Sequence, residues 1–352
     1  MGEARRASAA RRTHGVRRRE TGQGTAGVRV LVAVVLLAFL GALAPGATPA
    51  QPRPLDKITL RLDWVNLGFH ALWYYGRDKG VFADHGLDLE VLEGRGSDLT
   101  AQTVGNGSVA YGTADAAAVM SLIAQGLPVK IVGSYFKSSP IAFVFPKKTG
   151  WKNLKDLAGA SVGYGALLAP AVAAIKAAGL DGKLRMVKMD PGAVPLALLE
   201  GRVDAVMTFG FQYVPLFESK GLAVSTFPIA DAGIHVPGLA LITSTDLIKK
   251  NPDQVKRFVA AAQKAMELTQ KDPRGAIEAL LKRSPTLDPA VSLRVLELSF
   301  QLYTSESGKG KPLSWIPTQD IERAQEALIA FGAVKSRQPV ETFFTNEFVP
   351  GS

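Results

Sequence analysis

From Ile58 onward, short runs of period two alternate with longer runs of period near 3.6, and glycines punctuate the joins. Ile58-Thr59-Leu60-Arg61-Leu62 alternates and predicts a strand, ending at Asp63 and Trp64. A turn through Asn66 and Gly68 leads to a predicted helix from Phe69 to Lys79, closed by Gly80. Leu87 to Leu92 alternates again. Strand, loop, helix and strand make a βαβ unit, the building block of an α/β sheet.

The alternation continues. A glycine-rich turn, Glu93 to Asp98, predicts a helix from Leu99 to Asn106 with Ser97 or Asp98 as its N-cap. Strands are expected at Ser108–Thr113, Val129–Val132 and Ile141–Phe145, with a helix over Ala116–Gln125. At Pro146-Lys147-Lys148-Thr149-Gly150 the character changes, and a second lobe is expected over 146–236. Its strands are read at Ser161–Tyr164, Met186–Met189 and Leu222–Phe227, with one more that Gly201–Val206 leads into and that ends at Phe209, and helices at Gly165–Ala178 and Val194–Glu200. Gly238–Thr243 predicts another strand, in a last region of 237–352 that is otherwise helical. Pro252, Pro273, Pro289 and Pro317 sit near predicted helix starts, where proline costs little. The stripe Val255, Phe258, Val259, Ala262 and Met266 is the core face of the longest helix.

The first fifty residues follow a different grammar. Eight arginines precede or border an apolar run, Val30–Ala44, and Ala47-Thr48-Pro49-Ala50 supplies small residues for cleavage. That is the pattern of a secretory signal peptide, expected over 1–50. The apolar run is short for a membrane span of roughly 20 residues, although an uncleaved anchor stays open. Of 41 basic and 31 acidic residues, 8 and 2 lie in this leader, so the formal net charge falls from +10 to +4 without it. The remaining basic residues are scattered, which argues against a nucleic-acid partner. The chain has no cysteine, which removes thiolate chemistry and zinc–cysteine sites. No histidine pair has metal-ligand spacing, and no phosphate loop or nucleophile elbow appears. Neither a catalytic residue nor a metal or cofactor is expected.

Ligands of open α/β sheets collect beyond the carboxyl ends of the strands. Asp63, Trp64 and His70 fall there, as do Ser97, Thr113 and Asp115 at later junctions. Trp64 offers a face to a planar ligand, Asp63 accepts from an amine, and His70 donates to a ligand oxygen. Of Trp73 and Tyr74, Tyr74 is favoured for the cleft. Ser138 lies near Pro140, and in the second lobe Tyr164, Phe209, Phe211 and Tyr213 stand at strand ends. An aromatic from each lobe would sandwich a flat ligand.

The segment LDWVNLGFHALWYYGRDKGVFADHGLDLEV resembles the opening of the thiamine-pyrimidine-synthase-like group of ABC-transporter solute-binding proteins. The likeness extends through Gly94–Asp98, Gly112-Thr113-Ala114-Asp115, Leu154–Gly159 and Gly201-Arg202-Val203-Asp204-Ala205, roughly residues 57 to 270. The resemblance implies an α/β, two-lobed type II periplasmic-binding-protein fold, with two open sheets joined by hinge crossings near 146–150 and 235–240. Lobe I would be built from 51–145 and 237–352, carrying the helical tail, and lobe II from 146–236. The implied function is non-enzymatic capture of a small heteroaromatic ligand, resembling a thiamine pyrimidine precursor. A monomer would deliver it, outside the cytoplasm, to an ABC permease with a separate ATPase. The alternatives are a carrier of alkanesulfonate, nitrate or an aromatic acid, a sensor-input protein, and a pyrimidine-metabolism enzyme. The enzymes of this family resemble the chain in its opening but carry a cysteine-rich motif, which is absent here.

Overall fold

The computed structural model describes residues 54–165 and 169–351. The expected signal peptide lies outside the described residues. Among them no helix is long and apolar enough to cross a membrane.

Among the described residues ten strands form two five-stranded sheets. The first contains β1 (Asp56–Arg61), β2 (Leu87–Leu92), β3 (Tyr111–Asp115), β4 (Val129–Ser134) and β10 (Leu239–Ser244), in the order β2-β1-β3-β10-β4. The second contains β5 (Ile141–Pro146), β6 (Ser161–Tyr164), β7 (Arg185–Lys188), β8 (Ala205–Phe209) and β9 (Val224–Pro228), in the order β7-β6-β8-β5-β9. In each sheet one strand runs against its neighbours: β10 between β3 and β4, β5 between β8 and β9. These are the strands by which the chain arrives from the other lobe. β3 and β10 are buried along their whole length, as strands covered on both faces must be. β1 buries Ile58 and Leu60 on the core face, as its alternation predicts.

The type II periplasmic-binding fold is therefore present, with one boundary moved. The expectation placed Ile141–Phe145 in lobe I and the crossing near 146–150. Its pairing with β8 and β9 puts this strand in lobe II, so the chain crosses between Ser134 and Ile141. The composition change at 146–150 marks only the turn after β5. The return crossing lies between Pro228 and Leu239. The two crossings touch: Gly238 N donates to Phe136 O (2.9 Å), and Ser139 N donates to Val236 O (2.9 Å). A Cβ at Gly238 would lie 2.6 Å from Ser138 O, so no side chain fits where they pass.

The first crossing is fastened to the tail by Lys137, whose Nζ donates to the carbonyls of Tyr303 (3.2 Å), Pro312 (3.0 Å) and Leu313 (2.6 Å). Burial lowers the pKa of this ammonium to about 8. The tail helices Pro252–Lys271, Pro273–Leu281 and Pro289–Ser299 each begin with a proline behind a capping side chain, from Asn251, Asp272 and Asp288. Val255, Phe258, Val259, Ala262 and Met266 are all fully buried. Two tail helices also reach lobe II. Pro289–Ser299 packs on Gly210–Ser219, and Thr318–Ala330 packs on both Ala116–Ala124 and Ala169–Ala177.

Candidate functional site

Between the sheets lies a cleft of about 400 Å³, walled by lobe I at Asp63, Trp64, Arg95–Leu99, Asp115 and Ala118. Lobe II faces it with Ile141, Gly165, Pro191, Val194, Met207–Phe209, Gln212 and Tyr213. Apart from Ile141, at the amino end of the antiparallel β5, both sets lie at or just beyond carboxyl ends of strands or on the first turns of the helices that follow, where ligands of such sheets gather.

The Trp64 wall is built as a braced loop. Leu62 N donates to Leu92 O (2.8 Å), extending the β1–β2 ladder by one residue. The chain then turns beneath the glycine-rich segment: Gly94 N donates to Trp64 O (3.0 Å) and Gly96 N to Asp63 O (2.8 Å). A Cβ at Gly94 would lie 1.8 Å from Leu62 O, so this close approach requires glycine. Behind the loop, Asn66 is held from three sides. Its N–H donates to Glu93 Oε1 (3.0 Å), its Nδ2 donates to Ser284 Oγ (2.9 Å), and its Oδ1 accepts from Tyr74 OH (2.8 Å).

Asp63 is almost fully enclosed at its base. Its N–H donates to Thr113 Oγ1 (3.0 Å), and the same hydroxyl donates to Asp63 Oδ1 (2.9 Å). His70 Nε2 meets that oxygen at 3.2 Å, while His70 Nδ1 accepts from Leu67 N (3.2 Å). Asp115 caps the helix Ala116–Ala124 by accepting from Ala118 N (3.0 Å). Burial, with smaller contributions from the charges of Asp98 and Asp63, pushes its carboxyl up to about 7. Ser97 Oγ accepts from Asp115 N (2.9 Å), tying two cleft residues together.

Of the twelve residues expected at the site, the cleft brings together Asp63, Trp64, Ser97, Asp115, Phe209 and Tyr213. The other six lie elsewhere. His70 and Thr113 are fully buried behind Asp63 and bond to it rather than facing the cleft. Tyr74 points away from the cleft into the pocket formed by Ala276, Ile277 and Leu280, and its hydroxyl serves Asn66. Trp73 is buried too, with its ring parallel to Phe258. Phe211 turns its ring onto Phe69 (5.3 Å) and Phe136 (5.5 Å), an apolar seam between the lobes. Ser138 donates to Thr304 O in the first crossing (3.4 Å). Tyr164 packs into the lobe II core, although its neighbour Gly165 lines the cleft. Ser97 is also not an N-cap: Gly96, at φ +117°, precedes the helix Ser97–Gly105 without a side-chain cap.

Gln212, Asp98, Arg95, Met207 and Val194 were not read from the sequence as cleft residues. Gln212 had a signal, because Phe209, Gln212 and Tyr213 stand at i, i+3 and i+4 and so share a helix face. Arg95 and Asp98 lie in the glycine-rich stretch after β2, at a strand's carboxyl end, whereas Met207 and Val194 face the cleft through tertiary packing, which no local pattern carries. Among the described residues no group of three or more His, Cys, Asp or Glu side chains is placed to hold a metal ion.

Comparison with known proteins gives relatives along most of the chain. It is 27% identical over 323 residues to the riboflavin-binding protein RibY of Chloroflexus aurantiacus, covering 88% of this chain and 91% of that protein. It is 24% identical to the formylaminopyrimidine-binding protein of Halalkalibacterium halodurans (87% and 98% covered). It is also 25% identical to the 4-amino-5-hydroxymethyl-2-methylpyrimidine phosphate synthase THI12 of Saccharomyces cerevisiae (74% and 84% covered). The alkanesulfonate-binding protein SsuA of Xanthomonas axonopodis pv. citri shares the fold, with a TM-score of 0.62 at 16% identity over 84% of this chain and 99% of that one. The profile described as NMT1/THI5 like matches residues 69–276, more than half of the chain, and the protein belongs to that family.

Proposed function

We propose that the protein is the solute-binding component of an ABC importer and captures a small heteroaromatic ligand between its lobes. One observation carries the reading. Trp64 from lobe I and Phe209 and Tyr213 from lobe II line a single cleft that also holds the Asp63 and Asp115 carboxyl groups. A volume of about 400 Å³ lies within the range of about 300–1,000 Å³ usual for small-molecule sites. Aromatic walls suit a planar ring, and carboxylate oxygens suit ring or exocyclic N–H groups. Relatives named for binding riboflavin and formylaminopyrimidine support this ligand class.

The same chemistry weighs against a sulfonate or nitrate. Asp63 and Asp98 border the cleft as carboxylates, Asp115 adds a carboxyl that burial raises to about 7, and among the described residues Arg95 is the single lining guanidinium or ammonium. An anion entering there meets like charge in a setting of reduced dielectric. The reading is non-enzymatic. Synthases of the family resemble this chain but carry a cysteine-rich motif, whereas this sequence has no cysteine. Action outside the cytoplasm, as a monomer beside a membrane permease and a separate ATPase, completes the proposal.

Titration calorimetry of the protein without residues 1–50 tests it, using riboflavin, formylaminopyrimidine, propanesulfonate and nitrate. One of the two ring compounds is expected to bind with one site per chain, and the two anions to give no heat. Saturable binding of propanesulfonate or nitrate alone would replace this reading with the anion carrier. Conversion of either ring compound by the purified protein would overturn the non-enzymatic assignment.

A further inference from the structure

Asp63 is the polar residue of the cleft whose surroundings are most completely specified. Its Oδ1 already receives two donors, Thr113 Oγ1 at 2.9 Å and His70 Nε2 at 3.2 Å. No partner is found among the described residues for Oδ2, on a side chain only 6% exposed that lines the cleft. The direction of the histidine bond is set from the far side of its ring. Nδ1 accepts the Leu67 N–H, so the proton of the neutral ring sits on Nε2 and is donated to Asp63. The ring is closely packed. It is fully buried and lies 3.9 Å, centroid to centroid, from Phe69.

We propose that His70 is a positioning residue, held as the Nε2–H tautomer, which fixes Asp63 so that Oδ2 is presented to the cleft as a hydrogen-bond acceptor. This rests on the ligand-binding reading above and assigns how one polar contact of that site is set. Thr113 and His70 hold Oδ1 from two directions, and the backbone N–H of Asp63 is held by the same Thr113 hydroxyl. Rotation of the carboxyl group would break both side-chain bonds in an enclosed place, where an unmade bond is costly. A ligand N–H then finds its acceptor already oriented, and little ordering remains to oppose binding. His70 does this without touching the ligand.

The experiment has two arms on the protein without residues 1–50. In the ligand-free protein, ¹⁵N-resolved imidazole spectra should show His70 protonated at Nε2 and not at Nδ1. Asp63→Asn should shift the His70 Nε2 resonance. A proton on Nδ1, or no response to Asp63→Asn, overturns the proposal whatever the protein binds. In the second arm riboflavin and formylaminopyrimidine are titrated into wild type, His70→Gln, His70→Leu and Thr113→Val, with melting curves to confirm folding.

His70→Gln keeps a donor at the Nε2 position and should bind within about threefold of wild type. His70→Leu and Thr113→Val should each bind roughly ten- to a hundredfold more weakly, the loss expected for a hydrogen bond to a charged group. Folded His70→Gln as weak as His70→Leu would make the residue a packing element and sink the assignment. If neither compound binds wild type, the ligand class above fails, and the spectra still decide the tautomer and the contact.

Discussion

At the scale of single residues, Asp115 joins the stability of the protein to the chemistry of its cleft. Burial raises its carboxyl from 3.8 to about 7, so between about pH 4 and pH 7 the folded state keeps a proton that the unfolded chain has released. Stability contributed by this group is therefore lost as pH rises through that window, and the loss is complete above it. Asp115→Asn keeps an acceptor for Ala118 N and cannot ionise. The variant should match wild type near pH 4 and gain on it up to pH 7, by on the order of 1–4 kcal/mol. Urea unfolding across that range checks this, and a constant difference at every pH would contradict it. Trp64, Phe209 and Tyr213 were legible as cleft residues because each stands at or just beyond the end of a strand or one turn into the next helix. Tyr74 and His70 were misjudged for a physical reason. Strand ends point at a ligand through topology, but helix rotation decides which side chains follow, and packing on Ala276 and Leu280 sets that rotation.

At the scale of elements, the loop from Leu62 to Phe69 is a rigid jaw rather than a mobile lid. Its backbone is tied to Gly94 and Gly96, its interior to Thr113 and His70, and its rear to Tyr74, Glu93 and Ser284. The tightest point is Gly94. Gly94→Ala places a methyl group 1.8 Å from Leu62 O, and the backbone must move to admit it. A loss of about 2–4 kcal/mol is expected, as a lower denaturation midpoint at unchanged slope. An unaffected midpoint would mean that the loop yields and is no jaw. The glycine-rich turn was visible in the sequence, whereas its contact with Leu62 depends on two segments meeting in space. The misplaced crossing has a similar origin. Ile141–Phe145 reads as a buried strand in either sheet, and only its antiparallel pairing with β8 and β9 assigns it.

At the scale of the whole molecule, alternating strands and helices over 58–244 announced an open α/β protein, and the resemblance supplied two lobes. The helical tail is more than an added layer. Pro289–Ser299 packs behind the jaw at Gly68, where a Cβ would meet Ser292 O at 2.0 Å, and also on the lobe II helix that carries Gln212 and Tyr213. Any change in the angle between the lobes must therefore be accommodated at this helix as well as at the crossings. No sequence pattern foretold that bridge, because its face toward lobe II is indistinguishable from its face toward lobe I.

The central claim is that a planar ring is held in the interlobe cleft against Trp64. The most direct test is the melting temperature of wild type and Trp64→Ala, each with and without riboflavin or formylaminopyrimidine at a hundredfold excess over the measured dissociation constant for wild type. Binding at that excess stabilises the folded state by about 2.7 kcal/mol. The account predicts a clear rise for wild type with one of the two, and loss of most of that rise in the folded Trp64→Ala protein. An equal rise in both proteins, or a rise with propanesulfonate alone, would contradict it.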